Sequence, residues 1–478
     1  MATQDKLIIP PNEKIFCNRS LNMKSIKAVG FDLDYTIALY KLKTFEAIAY
    51  HETLKKLVNI GYPSEVLNWK FDAHSMVRGL VIDKVRGNIL KIDRHRYVKV
   101  AYHGFHELTQ EERRNIYDLE KVLNYEEPDF VLIDTIFSLA EALLFAQLVD
   151  LHSRIGPYAN KSFRDYYIDV KKSIDLCHRD GSIKLKVAQN PAHYIQKDPF
   201  LKQTLQALKS SGRKLFLLTN SLWDYSNVVM NYLFEPFEQE GASWLDYFEV
   251  VIVGAQKPIF FMGKNPLFEV DIKTGLLRNT DGIIGQAKVY QGGYFKVLHE
   301  IFGTLSGSEI LYVGDHIYGD ILRSKKEIGW RTMLIVEELE KEIAIQSANR
   351  EHLEHYQSLC KKRQQLEEQL GFLKHSYLDQ GKSGEKTVPE NQEYLNEIKK
   401  HHEQINQVRL EAKQKLRSYH HLFHPVWGEV MKVGRQNSRF AAQVENYACL
   451  YTSKLSNLRH YSLDKSFQSN RDLMPHDQ

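Results

Sequence analysis

Two aspartates one residue apart, Asp32 and Asp34, close a short apolar run in Phe31-Asp32-Leu33-Asp34-Tyr35-Thr36. In an extended segment alternate side chains point the same way, and like charges so close resist ionising together. A magnesium ion relieves that repulsion, because it prefers hard oxygen ligands. The plainer reading is an Asp-rich turn that starts a helix. Three further clusters weigh against it. Leu217-Leu218-Thr219-Asn220-Ser221 brings a hydroxyl and an amide, and Gln256-Lys257-Pro258 brings a cation. Tyr312-Val313-Gly314-Asp315-His316-Ile317-Tyr318-Gly319-Asp320 brings two more carboxylates. Singly, Thr219-Asn220 could cap a helix, Lys257 could lie on the surface, and Asp320 could be a helix N-terminal charge. Each cluster, however, ends an apolar run, and in open α/β sheets the ligand crevice lies at the carboxyl ends of the strands.

Those runs are Ala28–Leu33, Lys214–Leu218, Phe248–Val253, Ile310–Val313 and Thr332–Val336. They are rich in Val, Ile, Leu and Phe and read as buried parallel strands. Helical patterns follow, as at Ser226–Leu233 and Ile321–Ile328, so the expected fold class is a doubly wound α/β sheet. About 180 residues separate the first two strands, far beyond an ordinary crossover, so a domain must be inserted between them. The predicted division is a discontinuous core over 1–60 and 195–345, an inserted cap over 61–194 and a helical extension over 346–478. A smaller hairpin-like excursion is expected over Phe261–Gly293, from its DIKTG and GGY turns. In the extension, Glu337–Leu373 and Asn391–His421 read as an antiparallel helical pair with a glycine-bearing break at its tip.

Composition narrows the function classes. Over 478 residues, Lys+Arg 64 against Asp+Glu 60 gives a net charge of +4, too little to point to nucleic acid or an acidic membrane surface. Cys17, Cys177, Cys360 and Cys449 are scattered without metal-ligand spacing, so a disulfide framework is not expected and a cytoplasmic setting is. The start of the chain lacks the apolar stretch of a signal peptide. The longest apolar run, Leu139–Val149, is short for a membrane span and contains Glu141.

The order DxDx[TV], Ser/Thr, Lys, paired Asp resembles the haloacid dehalogenase superfamily. FDLDYTIALY, FLLTNSLWDYSNVVMNYLF, KPIFF, ILYVGDHIYGDILRSKK and GWRT resemble, more closely, the cytosolic purine 5′-nucleotidases of the IMP-GMP-specific type. The likeness runs from about residue 13 to GRQNSRFAAQVENYACLYTS and LMPH near the C-terminus. It implies a magnesium-dependent hydrolase in which Asp32 attacks phosphorus and Asp34 is general acid and then base. Magnesium would be held by the Asp32 side chain, the Asp34 carbonyl and Asp315, with Asp320 a ligand or an orienting group. Thr219 and the Asn220 backbone would bind the phosphoryl oxygens, and Lys257 would neutralise them and tie down Asp32. The same intermediate could pass its phosphoryl group to another nucleoside.

The resemblance also assigns the cap. Phe137 would stack on the purine, beside Ser138. Lys171 and Asp175 would bond the 6-oxopurine edge, and His178 and Lys184 would lie near base and phosphate. Relatives have arginine, asparagine and tyrosine where this chain has Lys171, Ser138 and Arg179, and lysine cannot make the two-pronged contact of arginine. Animal relatives bind a nucleotide effector near the aromatic at Tyr318. Asn124–Asp129 here lacks the arginine such an effector would meet, which leaves Tyr318 a packing residue. A homo-oligomer, dimer or tetramer, is implied. Two other readings stay open: a phosphatase on a different phosphoester, and a non-catalytic nucleotide-binding scaffold.

Overall fold

The computed structural model describes residues 9–117, 123–237, 241–280, 285–303, 305–382 and 392–469. It forms two units, Met1–Glu340 with Val430–Gln478, and Lys341–Glu429. Within the first, the core strands in chain order are β1 (Phe16–Cys17), β2 (Ala28–Phe31) and β3 (Leu39–Tyr40). The cap supplies α1 (Leu42–Asn59), β4 (Leu80–Asp83), β5 (Asn88–Ile92), β6 (Val98–His103), β7 (His106–Glu107) and β8 (Phe130–Ile133). It continues through α2 (Leu139–Ile155), α3 (Phe163–Arg179) and α4 (Lys184–Gln189) to β9 (Ile195–Gln196). The core resumes with β10 (Lys214–Leu218), α5 (Trp223–Phe234), β11 (Val250–Val253), β12 (Leu267–Val270), β13 (Leu277–Asn279) and β14 (Val289–Gly292). Then come β15 (Ile310–Gly314), β16 (Arg331–Ile335) and, after the helical unit, β17 (Leu450–Thr452).

The main sheet has the order β1-β17-β16-β15-β2-β10-β11-β14-β12-β13. From β17 to β14 every pairing is parallel, and antiparallel strands close both edges. This is the expected doubly wound arrangement: the chain winds from β2 to one side through β10, β11 and β14, and to the other through β15 and β16. The central strands are apolar on both faces and wholly buried, as parallel strands under two helical layers must be. The excursion between β11 and β14 is the expected hairpin, β12 on β13. β17 fell outside the sequence reading. It extends the sheet from a segment assigned to the helical extension, so residues 430–478 go with the first unit.

The cap is a five-stranded antiparallel sheet, β7-β6-β5-β4-β8, with helices against it. By its contacts α1 goes with the cap, although residues 1–60 were assigned to the core. Tyr50 on α1 donates to Gln147 on α2 at 2.7 Å, and Tyr62 just beyond α1 donates to Asp169 on α3 at 2.8 Å. The chain therefore leaves and re-enters the core at β3 and β9, which pair antiparallel with Tyr40 opposite Ile195. The helix over Ile136–Ile155 is long and apolar enough to cross a membrane, longer than the run read in the sequence, but most of it is buried inside the fold.

In the second unit, α6 (Arg350–Lys382) and α7 (Gln392–His421) pack through Tyr356, Leu359, Val408 and Ala412. His352 meets Lys415, and His355 meets Glu411, so the pair is antiparallel. The tip residues from 383 to 391 lie outside the described residues, as does the LMPH segment.

The core behind the site is aromatic. Phe216 on β10 lies among Phe302, Tyr312 and Trp330, and β2 can pass it only because residue 30 is glycine. A Cβ at Gly30 would sit 2.1 Å from the Phe216 ring, which is fully buried and has nowhere to go. Gly30→Ala is expected to lower stability by about 1–3 kcal/mol through overpacking. Gly30→Ala with Phe216→Leu should lose less than the sum of the two single changes, measured by urea unfolding; strict additivity would refute the clash.

Candidate active site

The carboxyl ends of β10, β2 and β15 are adjacent in the sheet, and each releases a cluster there. The Asp32 N–H still pairs with the Val313 carbonyl at 2.9 Å, but the segment is not extended beyond it. The N–H groups of Ile37 and Ala38 turn back to the Leu33 carbonyl at 3.0 and 2.9 Å. Tyr35 takes the left-handed conformation, φ 54°, that this turn demands. A bulky residue there is strained, and its surroundings must hold it. Tyr35 does so by donating to the buried Glu46 at 2.9 Å and packing edge-on against Phe137, Phe45 and Tyr40. Burial pushes the Glu46 carboxyl up to about 8, against the pull of the Tyr35 hydroxyl.

Lys257 lies at the centre. Its ammonium, almost fully buried, bonds Asp32 Oδ1 at 2.7 Å, Asp320 Oδ1 at 2.6 Å and the Tyr312 hydroxyl at 2.9 Å. Tyr312 in turn donates to the Leu218 carbonyl at 3.0 Å. Asp320 Oδ2 accepts the His316 N–H at 3.2 Å, so both its oxygens are used. Asp320 comes this close because Gly314 has no side chain: a Cβ there would meet the Asp320 carboxyl at 2.6 Å. The GDHIYGD segment makes a π-turn over Ile317–Leu322, and His316 Nδ1 caps it by accepting the N–H groups of Tyr318 and Gly319.

Asp32, Asp315 and Asp320 each offer an oxygen, and these oxygens lie within 4.8 Å of one another. Asp315 Oδ2 is buried without a hydrogen-bond partner. Its carbonyl accepts from Arg78, whose guanidinium is held by Glu338. An orphaned carboxylate oxygen beside two other carboxylates fits a hard divalent cation. Asp320, already bonded on both oxygens, fits better as the group that positions Lys257.

The charges are out of balance without such a cation. Burial raises the Asp32 carboxyl to about 7; Lys257 opposes the rise, while Asp320 and Asp34 add to it. Burial, then Asp320 and Asp32, hold Asp315 far above the carboxylate range. For Lys257 burial acts downward, but Asp32 and Asp320 outweigh it and the ammonium stays charged.

The loop after β10 holds the other donors. The Thr219 hydroxyl is fully buried and accepts the Ser221 N–H at 3.0 Å. The Asn220 side chain brackets the Lys257 peptide, accepting its N–H at 2.6 Å and donating to its carbonyl at 3.0 Å. That use of the amide, beyond the backbone role assigned to Asn220, couples two strand ends. Asp34 turns away from Lys257: Oδ1 accepts from Tyr40 at 2.6 Å and Oδ2 from Ser221 at 2.7 Å. Tyr40 and Glu46 escaped the sequence reading, and Tyr312 and Ser221, quoted within their motifs, were given no role there; nothing in the spacing of the tyrosines separates them from core residues.

Of the cap residues, Lys184 reaches the core, 3.3 Å from the Ser221 hydroxyl and over the Tyr225 ring. Phe137 is half-buried, edge-on to His178 at 5.9 Å, and Ser138 follows it at the start of α2. Burial, then Lys184 and Lys171, bring His178 down to about 4, so it is neutral near pH 7. Lys171 and Asp175, one turn apart on α3, pair with each other at 2.8 Å, and Lys171 also lies 3.4 Å from Glu141. Tyr318 accepts from Gln443 at 2.6 Å, and Gln443 accepts from the buried Arg439 at 2.8 Å.

The model of the 5′ nucleotidase family matches residues 15–478. A 5′-nucleotidase domain-containing protein from Dictyostelium discoideum is 29% identical over 476 residues, 97% of this chain and 75% of that protein. Among solved structures, a predicted phosphoglycolate phosphatase from Haemophilus somnus is 14% identical with a TM-score of 0.29, covering 66% of this chain and 87% of that one. CbbY from Rhodobacter sphaeroides, in complex with phosphate, is 13% identical with a TM-score of 0.24, covering 65% and 86%.

Asp32 sets the expected pH behaviour. A carboxyl whose folded pKa is raised favours folding in its protonated form. That contribution is complete below the ordinary value of 3.8 and is lost as pH climbs through about 7. In chelator, the melting midpoint of Asp32→Asn should therefore exceed wild type at about pH 8, with the gap closing towards about pH 4. Adding a divalent cation at about pH 8 should raise wild type more than the variant. A gap independent of pH would contradict the electrostatic account.

Proposed function

The chain belongs to the 5′ nucleotidase family, and from that premise we propose that it hydrolyses purine 5′-mononucleotides of the IMP/GMP type to nucleoside and phosphate, through a phosphorylated Asp32. Membership makes it a phosphoric monoester hydrolase; substrate, cofactor and mechanism are the proposal. The observation that carries it is the meeting of Asp32, Asp315 and Asp320 oxygens within 4.8 Å of one another, against Lys257, at the ends of adjacent strands.

An Asp32 oxygen attacks phosphorus in line, forming one P–O bond as the bond to the nucleoside 5′-oxygen breaks. Asp34 gives its proton to that oxygen. In the second half Asp34 takes a proton from water, whose oxygen attacks phosphorus, and the bond to Asp32 breaks to release phosphate. Lys257 and the Thr219–Ser221 loop offset charge on the phosphoryl oxygens and keep Asp32 aimed. Mg²⁺ is the proposed cation, held by Asp32, the Asp34 carbonyl and Asp315, and it would supply charge neutralisation at the phosphoryl oxygens.

The half-buried ring of Phe137, backed by the buried Tyr35 and Phe45, supports a planar leaving group, with Lys184, His178, Lys171 and Asp175 nearby. Stacking on an aromatic ring contributes about 1–3 kcal/mol per base. A cytoplasmic setting and a homo-oligomer, dimer or tetramer, belong to the same proposal.

With Mg²⁺ present, IMP and GMP should turn over faster than pyrimidine nucleotides or sugar phosphates. Better turnover of sugar phosphates would sink the purine assignment. Asp32→Asn should lose turnover by at least about 10³-fold while keeping its fold, as removal of a covalent nucleophile does. A fully active variant would reject the mechanism.

A further inference from the structure

Asp34 is the one carboxylate of the site bonded on both oxygens by neutral hydroxyls. Tyr40 donates to Oδ1 at 2.6 Å and Ser221 to Oδ2 at 2.7 Å. Tyr40 is not an incidental neighbour. Its hydroxyl lies 2.8 Å from that of Tyr225, and both residues are buried, 2% and 5% exposed. Its ring is wedged against Tyr35 and Phe45, with centroids 5.2 and 4.2 Å away. Burial, and Asp34 itself, hold both phenols in the neutral O–H form that can donate to a carboxylate.

We propose that Tyr40, backed by Tyr225, is a positioning residue for Asp34: its hydroxyl occupies Oδ1, so that the transferred proton is carried on Oδ2, beside the loop that receives the phosphoryl group. The inference rests on the acid–base role proposed above. A carboxyl free to rotate would present either oxygen to the leaving group. With Oδ1 fixed as an acceptor, only Oδ2 faces Ser221. The Ser221 oxygen receives the Lys184 ammonium at 3.3 Å and keeps a second lone pair, so its hydroxyl can turn to accept from Oδ2 once that oxygen carries the proton. Tyr40 keeps donating through both half-reactions, because the Tyr225 hydroxyl can supply or accept the second hydrogen bond.

Place adds to the argument. Tyr40 is in β3, one of the two strands through which the cap joins the core, opposite Ile195 of β9. The next residue continues the junction, the Lys41 N–H donating to the Tyr194 carbonyl at 2.7 Å. On the other oxygen of Asp34, the Ser221 hydroxyl receives the ammonium of Lys184 from the cap at 3.3 Å. Both hydroxyls on the acid are thus held by residues at cap–core contacts, and the carboxyl's orientation is tied to where the cap sits.

A leaving-group comparison separates positioning from structural damage. Nucleoside 5′-oxygen needs a proton to leave, whereas the oxygen of p-nitrophenyl phosphate does not. With Mg²⁺ saturating, Tyr40→Phe is expected to lose about 10–100-fold in the single-turnover rate of nucleoside release from GMP, the step in which Asp34 acts as acid, and at least about tenfold less in single-turnover release of p-nitrophenol from the aryl ester. KM for GMP should stay within about twofold, as for an interaction used in the transition state. Tyr225→Phe, which keeps Tyr40, should show the same discrimination at smaller amplitude and serves if the first variant does not fold. Equal losses on both esters, or none on GMP, overturn the inference. Asp34→Asn separates the two levels. If it discriminates between the esters and the tyrosine variants do not, only this inference falls. If Asp34→Asn itself loses equally on both, the acid–base reading falls and the inference with it.

Discussion

One buried ammonium between two carboxylates organises this site. Lys257 bonds Asp32 and Asp320 while almost wholly removed from water. An ion pair so placed is stable only if each remaining polar atom also finds a partner. The surroundings supply those partners: the Tyr312 hydroxyl for the ammonium, the His316 N–H for Asp320, and the Asn220 side chain for the Lys257 peptide. The missing side chain of Gly314 and the π-turn that follows it are the backbone's accommodation to the same pair. Four strand ends far apart in sequence are drawn to one point, and Asp32 has a single place to be.

The insertion makes the second half of the site. Because α1 packs with the cap, the chain crosses between cap and core at two short strands only, β3 and β9. Those crossings lie beside Asp34, and the strained Tyr35 turn joins it to the aromatic cluster around Phe137. On the proposed mechanism, acid–base chemistry and leaving-group recognition therefore share a boundary, whereas Asp32, the proposed nucleophile, and its lysine belong to the sheet alone. A change in the cap can reach Asp34 without disturbing Lys257.

Much of this was legible in the sequence, for a physical reason. Asp32, Thr219, Lys257 and Asp315 each end an apolar run, and parallel strands buried on both faces leave such runs where polar chemistry starts at their carboxyl ends. The segments that stayed hidden lack that contrast. β17 is three residues long and pairs with a strand over a hundred positions away, so no local pattern marks it. α1 reads as a core helix because its apolar face does not say which partner it meets. Tyr312, Tyr40 and Tyr225 look like core aromatics, and only the fold reveals that the hydroxyls of the first two end on charged groups and that of the third on Tyr40. On α3 the family resemblance assigned Lys171 and Asp175 to a purine edge. Their spacing lets them pair with each other, which an i,i+4 arrangement on a helix favours.

The imbalance of charge connects stability to chemistry. Asp32, Asp315 and Asp320 crowd about one buried lysine, and Arg78, a buried cation beside Asp315, is committed to Glu338. Burial therefore raises the Asp32 carboxyl to about 7 against the pull of Lys257, and what favours the protonated form works against a nucleophile. An incoming phosphate dianion would add to the excess. Cation binding at the orphaned Asp315 oxygen would lower the cost of ionising Asp32 and of admitting the dianion together. The arrangement that destabilises the site without a cation is then the one that readies Asp32 when a cation is bound. On the proposed mechanism the crowding has a use: spread apart, the carboxylates would ionise easily, and no single cation could serve nucleophile and substrate at once.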